Sequence, residues 1–227
     1  TLDKLIGDMI SKGREAVVTG IRIRERKPIE NSKENVEYVD PPVLLQLTGL
    51  GVFKEDRLIG WLDEDMSKAY SYLNNSVKST LGVVKCPGGK GKISLEIVRT
   101  NTRLTGRVVS GTPQIDIYIN TEQNVGEVQC RIDLTKEETI RKLEKMAEQN
   151  FIELIGRSVD HVKTTYASDI FGFGEVIHRS NPGYWKTVKH DWNAVFPDVK
   201  VIVHPDVRIR RLGTMSNSYI NKFDKEE

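Results

Sequence analysis

Residues 135–166 read TKEETIRKLEKMAEQNFIELIGRSVDHVKTTY. Apolar side chains fall at Ile140, Leu143, Ala147, Phe151, Ile155, Val159, Val162 and Tyr166. The steps are three or four, which is one face of an α-helix and excludes a strand. Thr135 followed by Glu138 matches a capping box and marks the start. At 1.5 Å per residue such a helix is roughly 45 Å long. A helix with a one-sided apolar stripe must lie on something, so the rest of the chain has to supply a surface.

The following segments predict that surface as an antiparallel sheet. Ile93, Leu95 and Ile97 alternate with polar neighbours, as do Ile115, Ile117 and Ile119, and then Val128, Cys130 and Ile132. Such alternation gives one buried and one wet face. Thr80 to Lys85 is a further strand, and 87–91 is a turn. Trp185, Val188, Trp192 and Val195 step by three and four along a second, shorter helix that ends at Pro197. Val199 to Ile209 supplies a last strand or two, and 216–227 is a polar tail.

The first third reads as a smaller β/α unit. Residues 2–10 carry Leu2, Leu5, Ile6 and Met9 on one helical face, with Gly13 where a C-cap would sit. Ala16 to Arg24 is a strand. Residues 25–42 are polar, with three prolines and no period, and read as a long surface loop. Val43–Phe53 and Arg57–Leu62 form a hairpin, and Asp63 caps a helix that ends at Asn74-Asn75. The change of period near residue 76 divides the chain into 1–75 and 76–227. The predicted fold class is α+β: a small N-terminal β/α unit, then an antiparallel sheet covered by the long helix and the Trp helix.

Composition sets further bounds. Of 227 residues, 38% are hydrophobic, which is enough for a packed core. The formal net charge is +2, with 11 Lys+Arg against 13 Asp+Glu in 1–75, so no single-sign excess marks a nucleic-acid footprint. No apolar run approaches the ~18 residues that span a bilayer. The chain opens on Thr1 and so reads as a trimmed piece, in which a missing leader says nothing of location. Cys86 and Cys130 are too few for a disulfide framework and lack metal-ligand spacing. Two small buried thiols are the favoured reading, with one disulfide as the alternative.

The motifs point away from catalysis. Residues 87–92 lack the Gly and the Ser or Thr of a phosphate loop and lead into a strand. Gly49-Leu50-Gly51 and Gly172-Phe173-Gly174 are lone pairs that complete no dinucleotide fingerprint. His161, His178, His190 and His204 have no i, i+4 pairing, and no nucleophile elbow is present. No catalytic, cofactor or metal residues are assigned, and the ligand-binding residues are unknown. Trp185 and Trp192 could form an aromatic cage, although their helical spacing favours core packing.

The ordered set Asp169, Phe171, Gly172, Phe173, Gly174, Trp185, Trp192, Phe196, Pro197, Val201, Val203 and Gly213 is more specific than its parts. It resembles the C-terminal domain of the spore-germination Ger(x)C family. The stretch 49–54, with Leu58, Gly60 and Leu62, resembles that family's mid-chain hairpin. The resemblance implies a lipoprotein of endospore formers, held by a lipidated N-terminal Cys at the outer face of the spore inner membrane. It also implies assembly with membrane-embedded A and B subunits into a nutrient germinant receptor, with neither nucleic acid nor cofactor. The lipidation Cys and the N-terminal region that the family leads one to expect are absent from this chain. The family carries no catalytic residues to transfer, and its motif residues read as structural. The functional expectation is a non-enzymatic, extracytoplasmic part of the receptor's C subunit. A small-molecule module sensing the germinant is the alternative, and a hydrolase with an unrecognised site is a third.

Overall fold

The computed structural model describes residues 2–25, 33, 37, 43–87 and 89–211. In chain order these form α1 (Leu2–Ile10), β1 (Val17–Glu25), β2 (Val43–Lys54), β3 (Arg57–Leu62), α2 (Glu64–Leu73), β4 (Thr80–Lys85), β5 (Lys92–Val109) and β6 (Thr112–Val128). Helix α3 (Glu137–His161) follows and runs into one π turn over Val162–Tyr166. Then come α4 (Phe173–Ser180), α5 (Pro182–Val188), α6 (Trp192–Val195), a 3-10 turn at Phe196–Asp198, and β7 (Lys200–Arg211). The architecture is α+β. Most of the polar 25–42 connection, Gly213 and the 216–227 tail lie outside the described residues.

Two sheets carry the fold, in the orders β1-β2-β3 and β4-β5-β6-β7. The larger is antiparallel over β4, β5 and β6, as the alternation predicts. Strand β7 differs: it joins β6 in parallel, with Ile117 opposite Val203. The reason is the connection, because residues 137–198 cross over the sheet as helices, and only such a crossover returns a strand in the same direction. The β5–β6 hairpin is also much longer than its apolar alternation suggests. It turns on Ser110-Gly111, whose φ angles of +50° and +83° fit the tight two-residue turn that matches strand twist.

One face of this sheet is dry. Ile115, Ile117 and Ile119 are fully buried under α3 and α4, beside Ile93, Leu95 and Ile97. Each such side chain is worth ~1.5–3 kcal/mol when removed from water. On α3 the buried positions are Leu143, Ala147, Phe151, Ile155 and Val159, which is the predicted stripe. Gly106 lets α4 sit close to β5, since a Cβ there would lie 2.9 Å from Ile177 Cδ1.

Three local expectations change. The long helix begins at Glu137 without a side-chain cap. Thr135 instead gives its Oγ1 hydrogen to Asp133 Oδ1 at 2.5 Å, and a charged acceptor outcompetes a helix end for a hydroxyl donor. The Trp helix is broken: α5 stops at Val188 and α6 starts at Trp192, which frees the Trp192 ring to turn inward. Residues 129–132 form no strand.

Cys86 and Cys130 are joined by a disulfide, so the favoured reading of two buried free thiols is overturned. Cys86 follows the end of β4, and Cys130 lies two residues beyond β6, so the three-strand pairing brings together sulfurs 44 residues apart in sequence. A closed loop of that size removes ~2–4 kcal/mol of unfolded-state freedom. Replacing both cysteines by serine is expected to lower unfolding free energy by about that amount, read from urea melts with and without reductant. Reductant should shift the parent chain and leave the double variant unmoved.

Candidate functional site

Among the described residues, Asp169 accepts four hydrogen bonds with its side chain alone. It is fully buried. Its Oδ1 accepts from Gly172 N at 2.9 Å and from Phe173 N at 3.1 Å, and its Oδ2 accepts from Gly174 N at 2.7 Å and from Trp192 Nε1 at 2.8 Å. The first turn of α4 is therefore capped by a side chain four residues upstream of its first residue. Gly172, at φ +76°, is the residue that lets the backbone curl its N–H groups back onto one carboxylate. An anion site at this helix start is thus filled from within.

The turn also ties distant segments together. Asp169 O accepts from Glu15 N at 2.8 Å, and Gly13 O accepts from Glu175 N at 3.2 Å. Arg14 Nη2 donates to Phe171 O at 3.0 Å. Ser168 Oγ donates to Phe53 O at 2.7 Å, reaching β2. Gly13 caps no helix. A Cβ there would lie 2.6 Å from Glu175 N, so glycine is needed for close approach. Gly172 and Gly174 likewise pack against Arg14, Gly13 and Trp192 instead of the long helix.

The aromatic motif residues close the joint. Trp185 and Trp192 are 5% and 3% exposed and meet edge to face at 5.3 Å. Phe171 stacks on Phe173 at 5.3 Å, and Phe173 meets Phe196 at a tilt, with ring centres 6.1 Å apart. Rings packed in this way present no open face for a ligand.

Burial pushes the Asp169 carboxyl up, to about 6, against the opposing pull of the Gly174 N–H, the Trp192 indole, the Phe173 N–H and the Arg14 charge. The folded chain therefore holds this proton more tightly than the unfolded one. Stability carried by protonation is present below pH ~4 and is lost as pH rises through about 6. The difference from the ordinary value of 3.8 corresponds to ~3 kcal/mol. Relative to Asp169→Asn, the parent should lose stability between pH 4 and 7, and the variant should lack that part of the slope. Asp169→Asn should also be less stable throughout, because its amide turns donors toward donors. Trp192→Ala should cost ~3–5 kcal/mol, with loss of a blue-shifted, iodide-protected emission.

A second polar cluster lies on the other face of the large sheet. Asp116 Oδ1 is 2.9 Å from His204 Nε2, and its Oδ2 meets Arg107 at 3.2 Å and Gln114 Nε2 at 3.2 Å. Burial pushes the Asp116 carboxyl up, but the hydrogen bonds from His204 and Gln114 and the Arg107 charge outweigh it and hold it below the usual range. His204 stacks on Tyr118 at 4.8 Å, and Arg103 lies 4.8 Å from the centre of the same ring. Among the described residues no Ser, Thr or Cys side chain is hydrogen-bonded to His204. Among the same residues no group of three or more His, Cys, Asp or Glu could hold a metal ion. No helix among them is long and apolar enough to cross a membrane.

Sequence reasoning singled out Asp169, and its spacing to Gly172 is that of a cap to an N3 position, a signal for the turn itself. Arg14, Glu15 and the Asp116–His204 pair carry no local signal, because their hydrogen-bond partners come from 40 to 178 residues away. Gly213 lies outside the described residues.

Fold and joint together define a two-sheet α+β protein whose most elaborate polar network fastens its own parts. Residues 48–213 match the model of the "Spore germination B3/GerAC like, C-terminal" family, and the chain belongs to that spore-germination family. It is 29% identical to spore germination protein KC of Bacillus subtilis (strain 168), over 85% of this chain and 47% of that protein. It is 23% identical to the putative spore germination protein YfkR of the same organism, over 94% of this chain and 53% of that one. The chain therefore spans about half the length of these relatives. The crystal structure of the GerBC protein superposes with a TM-score of 0.69 at 18% identity, covering 86% of this chain and 57% of that one, and shares the fold.

Proposed function

We propose that this chain is an extracytoplasmic part of the C subunit of a spore nutrient germinant receptor, acting without catalysis through contacts with the A and B membrane subunits. In this reading a lipid anchor outside the chain holds it at the outer face of the spore inner membrane. The family match supports the receptor assignment, and the Cys86–Cys130 disulfide supports a compartment outside the reducing cytosol.

The observation that carries the contact role is an apolar sheet face. On β1 and β2, Ile21 lies opposite Leu47 and Ile23 opposite Leu45, so all four share one face. Leu45 and Leu47 are 73% and 71% exposed, and Ile21 and Ile23 are 63% and 58% exposed. A monomeric surface seldom gathers so many large apolar side chains on one strand pair, and such faces mark interaction sites.

The test is recovery of the tagged full-length protein from spore membranes. The A and B subunits of one receptor should copurify with it, and recovery of neither would refute the assignment. Leu45→Glu combined with Leu47→Glu should leave the melting midpoint within about 2 °C, since surface changes alter stability by ~0.5 kcal/mol. The same pair should sharply reduce copurification. Retained copurification would move the contact surface elsewhere.

A further inference from the structure

Between α2, α3 and the edge strand β4 lies a cleft of about 360 Å³. Its walls are apolar: Val84, Leu95, Ile97 and Phe151 are all buried. Two polar side chains, Tyr72 and Gln123, break this lining, and each is about 1% exposed.

The polar groups at the mouth are already engaged. Arg157 pairs with Asp65 across the two helices at 3.6 Å. Lys68 Nζ donates to Leu81 O at 2.6 Å, and Asn150 Nδ2 donates to Val83 O at 2.9 Å. The two interior groups are different. Gln123 gives its Nε2 to Thr121 Oγ1 at 2.9 Å, which leaves its carbonyl oxygen without a partner among the described residues. The Tyr72 hydroxyl has none there either, although its ring is held edge-on to Phe151 at 5.0 Å. Burial alone pushes the Tyr72 phenol up, so it stays a neutral O–H donor at any physiological pH.

Both residues line the cleft, and a molecule that fills it displaces the water from a donor and an acceptor that have no other partner among the described residues, so it must match them to bind. The chemistry that fits here is complementary and uncharged. A hydroxyl or primary amide accepts from Tyr72 and donates to Gln123 in the same position, while an attached apolar body fills the cleft. We infer that the α2–α3–β4 cleft is a binding site for a small, neutral, largely apolar molecule carrying one hydroxyl or primary amide, held between the Tyr72 hydroxyl and the Gln123 carbonyl. A charged ligand would find no free counter-charge inside. This site is independent of the receptor assignment, and neither result decides the other.

The experiment uses the 227-residue chain, with benzyl alcohol as probe and toluene as the matched compound lacking the hydroxyl, each followed by ¹H–¹⁵N NMR. Benzyl alcohol should give saturable shifts at the Gln123 side-chain amide and at Val84 and Ala147, binding roughly five- to tenfold more tightly than toluene. Tyr72→Phe removes only an unpartnered hydroxyl, so it should fold with an unchanged or raised melting midpoint and lose that preference. Should that variant fail to fold, Gln123→Met reads the same loss. The inference fails if the shifts do not saturate or spread over the whole surface. It fails equally if the two compounds bind alike, or if the preference survives in the folded variant. Any of these would mean that water alone satisfies Tyr72 and Gln123.

Discussion

The rest of the molecule hangs on one carboxylate. Asp169 brings a full acceptor set into a dry interior, and the surrounding N–H groups are arranged to meet it. A buried carboxylate with fewer donors would be strongly destabilising, and these donors without it would be four orphans. Neither half is tolerable alone, so the turn at 169–174 has essentially one conformation. Because the same turn holds residues 13–15 and reaches β2 through Ser168, its geometry fixes how the first sheet meets the helical layer.

The joint is reinforced from the far end of the long helix. Tyr166 closes the π turn, its hydroxyl donates to Trp61 O at 3.0 Å, and its ring lies against Gly60, where a Cβ would come within 2.3 Å. A helix anchored to the large sheet by its apolar stripe thus delivers, in its last turn, the contact that positions the small sheet. The disulfide acts at the opposite edge, where β4 has neighbours on one side only. The chain is thus braced at both margins of its core, by a side-chain hydrogen bond at one and a covalent link at the other.

How much of this was legible in the sequence follows from the range of the forces involved. The long helix, the Asp63 cap and the 93–97 and 115–119 strands were readable because their signals repeat within one turn or one pleat. The limits of the β5–β6 hairpin were not. Residues 99–110 carry Arg, Thr, Asn and Gly, and their pairing is imposed by the partner strand and the Ser110-Gly111 turn. The break in the Trp helix was hidden for a related reason: an i, i+7 spacing cannot show that Trp192 is bonded to Asp169, 23 residues earlier. The disulfide depends wholly on strand order, which no local window contains. At the Asp169 joint, the sequence showed which residues gather but not that they exhaust each other's hydrogen-bonding capacity.

The two sheets present opposite kinds of open surface, and energetics separate their uses. On the large sheet several charges are matched within the chain: Arg107 with the buried Asp116, Arg99 and Arg210 with Glu122, and Arg208 with Asp206. Exposed pairs of this kind are worth ~0–1 kcal/mol, and a partner that covered them would have to strip their water for little return. On the small sheet, Leu45, Leu47, Ile21 and Ile23 stand in water with nothing to lose but unfavourable hydration. Covering each recovers ~1.5–3 kcal/mol. Four such side chains on one strand pair therefore outweigh the whole charged face as a source of association energy. The charged face thus gains little from being covered, and under the proposed receptor role the strand pair at 21–23 and 45–47 is the surface with most to gain.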